Sequence, residues 1–233
     1  MKQRQVLSPS AHLPRHLHRQ PYAAVVLKGG YTEAGEAGRW RVSAGDVLIH
    51  APFSFHMDRI HFTPTEVLNL PLHLTESLRG GFWRVENVDM VVQEAEKDPV
   101  QAVARLMETI QPADAGESDQ IDELAHQLCQ SDAPAIGAWS RHQGIRRETV
   151  FRQFQAAYGV NPTQYRIESR TRQAWLATLT SATPLAEISL NCGFADQAHM
   201  SRAIKRLTGF SPGQWRRQAS LQHAFKNPRL GDC

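Results

Sequence analysis

Cysteine is scarce and scattered in this chain. Its three cysteines, Cys129, Cys192 and Cys233, are odd in number and far apart. They make neither a CxxC pair nor a disulfide framework, so a reducing, cytoplasmic setting is expected. Long apolar runs are also missing, and nothing reaches the roughly 18 residues that a membrane span needs. The opening stretch MKQRQVLSPSAHLPRHLHRQ has basic residues but no apolar centre, so no signal peptide is expected. A strong net charge is lacking too, at +3 over 233 residues.

That small total hides a segregation. Residues 94–123 hold nine acids against two bases, and residues 128–221 hold 12 bases against five acids. An acidic stretch of −7 thus precedes a basic one of +7. A concentrated basic segment suits a polyanionic partner, nucleic acid being the commonest. A solvated basic face would carry the same count.

Secondary-structure signals divide the chain. Tyr22–Leu27 and Val47–Ile49 are short apolar runs and Trp40–Val42 is short and alternating, with the turn signals Gly29-Gly30 and Gly45-Asp46 between them. They predict a small β-barrel or sandwich. Val100, Val103, Ala104, Met107 and Ile110 recur at helical spacing, as do Ile121, Leu124, Ala125 and Leu128. From residue 131 to 217 the pattern is helical throughout. We therefore expect an α+β chain with a sensor-like domain at 1–84 and a helical linker at 85–130, where a dimer contact is expected. A helical domain at 131–217 and a frayed tail at 218–233 complete it.

An internal repeat organises the helical domain. At a shift of 50 residues Arg152 meets Arg202, Gly159 meets Gly209, Pro162 meets Pro212, Gln164 meets Gln214 and Arg166 meets Arg216. Upstream, Gly144 and Gly193 precede helical runs with a one-residue difference in spacing. In each copy a short helix ends near a glycine that permits a tight turn. A second helix follows, with Val150 and Phe154, or Met200 and Ile204, as i,i+4 pairs that pack inward. Two copies are too few for a solenoid. The outward faces carry Arg, Gln, His and Thr, residue types that reach phosphates and base edges.

Residues 131–217 resemble the DNA-binding domain of the AraC/XylS transcription regulators, most closely over Ile188–Arg216. The resemblance implies a seven-helix module with two helix-turn-helix units joined by a long helix at about Pro162–Leu179. It implies recognition helices in successive major-groove segments, about 34–36 Å apart, and a homodimer that activates transcription in contact with RNA polymerase. Base-facing positions then fall on Glu148, Phe151 and Arg152 in the first copy, and on Gln197, Ala198, His199 and Arg202 in the second. Arg can bond guanine bidentately and Gln adenine, Glu148 can accept from cytosine, and Phe151 can touch a thymine methyl. Phosphate contacts fall on Arg146, Arg147, Thr149, Lys205 and Arg206. The chain departs from the family at Arg146, where a capping Ser is usual. It departs also at Ile204, where the family has Phe, and at Ser189, where it has Ala. A structural role for Arg152 and Arg202, paired with Glu168 or Glu187, is the competing expectation.

Seven of the 11 histidines lie in residues 12–73. Pro14-Arg-His16-Leu-His18 and Gly45–His56 resemble the two motifs of small cupin barrels, which in such regulators sense a ligand. The resemblance implies an effector pocket lined by His16, His18, His50 and His56. Metal-binding cupins add a Glu, but Tyr22 stands near its position here, and Glu33 lies too far along the strand and turn to be counted. No complete ligand set is visible, so neither a metal nor another cofactor is expected. The reading at this stage is a DNA-binding regulator modulated by a small molecule, without enzymatic activity. Its rivals are a cupin-type metal-dependent enzyme with a helical appendage and a module that binds protein.

Overall fold

A computed structural model describes residues 3–36, 38–73, 80–114, 116 and 118–226. The first strands are β1 (Arg4–Leu7), β2 (His12–His18), β3 (Tyr22–Lys28), β4 (Gly30–Gly35) and β5 (Gly38–Ser43). They are followed by β6 (Asp46–His50), β7 (Ser54–Ile60), β8 (Thr65–Pro71) and β9 (Gly81–Arg84). Helices α1 (Val88–Lys97) and α2 (Pro99–Thr109) lead to the two-residue strand β10 (Gln111–Pro112). Seven helices follow: α3 (Gln120–Leu128), α4 (Ile136–His142), α5 (Arg147–Tyr158), α6 (Pro162–Thr180), α7 (Leu185–Asn191), α8 (Gln197–Thr208) and α9 (Pro212–Lys226). The chain is thus α+β. It divides into two compact units, Met1–Tyr165 and Arg166–Cys233, with the boundary inside α6.

The expected barrel takes the form of two antiparallel sheets that do not close into one. One has the order β1-β8-β3-β6-β9-β10, the other β2-β7-β4-β5. Tyr22, Ala24, Val26, Leu48 and Val67 of the first meet Tyr31, Val42 and Ile60 of the second in a shared core. The outer face of the larger sheet, with Ala23, Val25, Val47, Ile49, Leu68 and Leu70, is covered by Val91, Ala95, Ala102, Val103 and Leu106 of α1 and α2. Strand β3 is an unbroken apolar run because both of its faces are buried. The outer face of the smaller sheet offers Ala34 and Met57 to α3, α4 and α5. There Ile121, Leu124, Ala125 and Leu128 pack with Trp139, Val150, Phe154, Tyr158 and Tyr165.

The helical stripe expected from Val100 to Ile110 is offset. The inward residues of α2 are Ala102, Val103 and Leu106, with Met107 and Ile110 packed beside them. Val100 is 70% exposed, and Ala104 is exposed as well. Val100 lies in the first turn, where the Asp98 carboxylate accepts from its backbone N–H and fixes the start of the helix. At the far end α9 runs to Lys226, past Ser220, where fraying is expected. The remainder of the expected tail, 227–233, lies outside the described residues.

Helix starts differ in how their free N–H groups are met. Asp119 and Asp122 form a reciprocal capping box on α3, and Asn87 caps α1. Asp196 caps α8 by accepting from the His199 N–H at 2.6 Å. Helix α5 begins after Arg146, which makes no side-chain cap. Asp196→Ala should therefore cost about 0.5–2 kcal/mol, and Arg146→Ser should gain up to about 1 kcal/mol. Urea denaturation followed by helical circular dichroism checks both. By the same method Leu106→Ala, fully buried, should cost about 2–5 kcal/mol. Val100→Ala should stay within about 0.5 kcal/mol.

Candidate nucleic-acid interface and histidine cluster

The two helix-turn-helix units are built on one plan. In the first, α4 ends at Gln143, Gly144 adopts φ 66°, and α5 starts at Arg147. In the second, α7 ends at Cys192, Gly193 adopts φ 71°, and α8 starts at Gln197. Buried serines hold both turns. Ser140 donates through Oγ to Gly137 O, and Ser189 donates likewise to Ala186 O. The Ile145 N–H reaches Ser140 O and the Phe194 N–H reaches Ser189 O, both at 2.9 Å. The one-residue difference in spacing falls between the glycine and the second helix. The second copy holds both Ala195 and Asp196 there, and so gains its acidic cap.

Each second helix then buries one stripe and exposes the other. Val150, Phe154, Met200 and Ile204 are fully buried, as their i,i+4 spacing predicts. Glu148, Arg152, Gln197, Ala198, His199 and Arg202 are exposed, and Phe151 is half-buried. Arg146, Arg147, Lys205 and Arg206 are exposed, and Thr149 is half-buried. The Arg147 guanidinium lies 5.3 Å from the Phe151 ring centre, and the His199 ring meets Phe194 edge-on at 5.4 Å. Among the described residues neither Arg152 nor Arg202 makes an ion pair, so the expected pairing with Glu168 or Glu187 does not occur.

Behind these faces the units are braced differently. In the first, the Arg15 Nη1 donates to Tyr158 O at 3.1 Å, and Arg59 donates to Ala156 O. Both carbonyls lie in the last turn of α5, where unpaired C=O groups and the helix dipole favour cations. Gly159, at φ 70°, ends that helix, and a Cβ there would come within 2.8 Å of Met57 Sδ. Tyr165 donates its hydroxyl hydrogen to Gly35 O. In the second unit Arg170 donates to Gly193 O at 3.1 Å and lies 4.7 Å from the Phe194 ring centre. Trp175 is buried and meets Trp215 edge-on, while Trp215 Nε1 donates to Thr208 Oγ1. The Cys192 thiol is raised by burial, which disfavours the reactive thiolate.

Between the sheets lies a cavity of about 150 Å³. Its lining includes His16, His18, Tyr22, Glu33, His56 and Asp58. Strand register brings these groups together. His16 pairs directly with His56, Glu33 with Asp58, and Tyr22 with His50. The rings of His16 and His56 are 4.4 Å apart, those of His18 and His56 5.1 Å, and those of His50 and His56 4.5 Å. Glu33 stands within this group, contrary to the expectation that it lies too far along the strand. Its Oε2 is 3.6 Å from His50 Nε2. The reason is alternation: Tyr31 and Glu33 share the inward face of β4, while Ala34 turns outward. Asp58, two residues beyond His56 on the same face of β7, is the group that the sequence reading passes over.

Burial dominates the electrostatics. Desolvation, with nearby imidazoles second, lowers His50 to about 3 and His56 well below the usual value. Desolvation also lowers His18 to about 4. It raises Asp58 to about 7 and Glu33 well above the carboxylate range, the latter with help from Asp58. The imidazoles of His18, His50 and His56 are thus neutral donors. Two triads have donor atoms within 4.8 Å of one another, namely His16, His18 and His56, and Glu33, His50 and His56. A wider cleft of about 650 Å³ is lined in part by His18 and Asn69, which also line the inner cavity.

Among the described residues no helix is long and apolar enough to cross a membrane. Comparison with known proteins matches residues 139–218 to a helix-turn-helix domain family. The arabinose operon regulatory protein of Salmonella typhimurium is 29% identical over 105 residues, 45% of this chain and 37% of that protein. The transcriptional activator RhaR of Salmonella arizonae is 32% identical over 98 residues, 41% of this chain and 35% of that protein. The chain spans a little over a third of the length of these curated relatives. Among solved structures, the DNA-binding domain of AdpA in complex with a target DNA is 23% identical, with a TM-score of 0.41. That likeness covers 48% of this chain and 99% of that one. ToxT from Vibrio cholerae O395 is 11% identical with a TM-score of 0.40, over 94% of this chain and 99% of that one. Residues 139–218 of this chain thus carry a helix-turn-helix domain, the part in which its curated relatives resemble it.

Proposed function

We propose that this chain is a sequence-specific DNA-binding transcription regulator, an activator that works in the cytoplasm as a homodimer and has no enzymatic activity. The observation that carries the reading is the repeated helix pair. Two 12-residue helices, α5 and α8, each follow the same serine-braced turn. Each exposes an arginine at the same place in the repeat. Glu148, Phe151 and Arg152 read bases in one half of the site, and Gln197, Ala198, His199 and Arg202 in the other. Arg146, Arg147, Thr149, Lys205 and Arg206 bind phosphates and set the register. Residues 131–217 are the reader and residues 1–84 the sensor. Residues 85–130 connect them and contribute the dimer contact, and RNA polymerase is the partner in activation.

A small effector in the inner cavity modulates binding. Support for this comes from the smaller sheet, whose strands β2, β4 and β7 line the cavity on one face and hold α5 on the other. The volume of about 150 Å³ is well below the roughly 300–1,000 Å³ of drug-sized ligand sites, so the effector is small. The enzyme reading gains nothing from the comparisons, whose curated relatives are transcription regulators.

Selection of bound sequences from a random DNA pool, followed by footprinting, tests the reading directly. One preferred, asymmetric site is expected, and recovery of no sequence above background would reject it. On that site Arg202→Ala should lose about 1–3 kcal/mol and relax preference at a single base position. Arg206→Ala should weaken specific and random DNA alike and lower the salt slope by about one. Unchanged preference in Arg202→Ala would remove that residue from the readout.

A further inference from the structure

We propose that Glu33 and His56, which line the cavity between the sheets, and His50 just behind them hold a divalent transition-metal ion. The inference takes from the regulator reading only that this cavity is the ligand site, and it names the ligand's class. The three residues come from β4, β6 and β7, and so from both sheets. All three are at least nine-tenths buried, with exposures of 6%, 5% and 3%. Their donor atoms lie within 4.8 Å of one another, and Glu33 and His50 are already 3.6 Å apart. Donors around a four-coordinate ion with bonds of about 2.1 Å sit roughly 3.4 Å from each other. Small rotations of buried rings therefore close the set.

Further features point to a cation rather than to an organic molecule. His56 Nδ1 and Asp58 Oδ1 are buried with no hydrogen-bond partner, which a native core rarely tolerates. Glu33 and Asp58 are direct cross-strand partners, and two carboxylates placed so repel one another once both are ionised. A divalent ion bound by Glu33 relieves that repulsion. Asp58 Oδ2, at 3.9 Å from His56 Nε2, can then orient the ligand imidazole from behind, as carboxylates do at metal sites. The cavity holds about five waters' worth of liquid volume, at roughly 30 Å³ each, which suits an ion with one or two waters. Two imidazoles and one carboxylate suit Zn, Fe, Co or Ni rather than Ca or Mg. His18, which borders both the inner cavity and the wider cleft, marks the way in.

The competing seat is His16, His18 and His56, which shares one ligand with the proposed site. The full-length chain, stripped with a chelator, should be titrated with Zn(II) by calorimetry in the absence of DNA. One equivalent per chain is expected. Glu33→Gln and His50→Ala should each weaken binding about tenfold or more, and His16→Ala should change it by less than about threefold. Because a core variant can fail to fold, X-ray absorption on the Zn-loaded natural chain supplies an independent measure. Two imidazoles with oxygen ligands support the proposal. Three imidazoles, loss of binding in His16→Ala with retention in Glu33→Gln, or no stoichiometric binding would each overturn it. DNA binding plays no part in these measurements, so a chain that bound Zn(II) but no DNA would refute the regulator reading and leave this one in place.

Discussion

The two-residue period of strands β2, β4 and β7 is the constraint on which the first unit depends. Neighbouring residues on a strand face opposite ways. Arg15 therefore reaches α5 while His16 faces the cavity. Ala34 packs under α5 while Glu33 faces inward, and Met57 and Arg59 flank Asp58 in the same sense. One small sheet thus serves as the floor of the cavity and as the seat of a helix. Close-packed layers transmit small shifts rather than absorb them. A ligand that draws Glu33 or His56 inward must also move their neighbours Ala34 and Met57, which pack under α5.

The cluster costs the fold free energy in the absence of a partner. Transfer of an ionised carboxylate from water to an apolar interior is expensive unless it is paired, and two face each other here. The remaining core between the sheets is conventional, built from Tyr22, Ala24, Val26, Val42, Leu48 and Ile60. Polar groups gathered at one spot in an otherwise apolar layer are the pattern expected of a functional site. The same argument separates this cluster from the Arg39 network, where the guanidinium meets Asp119 and Asp122 at the edge of α3. There every charge has a partner, and the network ties α3 to β5.

How much of this was legible before the fold was known differs between the two halves. The helical half was open to reading because its signals are local. Glycine turns, i,i+4 apolar pairs and a repeated frame each act over a few residues, and Val150, Phe154, Met200 and Ile204 are buried as their spacing requires. The β half was only partly legible. Tyr22–Leu27 and Val47–Ile49 stand out because they are buried on both faces, but β4 reads Gly-Tyr-Thr-Glu-Ala-Gly and signals little. Pairing of Glu33 with Asp58, and its approach to His50, arise from register and from the stacking of two sheets. Neither is encoded in any short window of sequence. Val100 fails for a related reason: helical spacing marks a stripe but does not say where along the helix the sheet ends.

Helices α5 and α8 are alike in sequence frame but held from opposite ends. Helix α8 is fixed at its start, where Asp196 caps it and Arg170 braces the preceding turn through Gly193 and Phe194. Helix α5 has no side-chain cap at its start. Its last carbonyls are instead bound by Arg15 and Arg59, which stand on the sheet that lines the cavity. The residue at the cap position is the origin of this contrast, since Arg146 offers no acceptor to the first turn of α5 whereas Asp196 offers a carboxylate to that of α8. Helix α5 also buries Val150, Phe154 and Tyr158 against α3, α4 and that sheet, so its position is tied to theirs. On the proposed DNA-binding reading, the first copy is the half that the sheet lining the cavity supports directly.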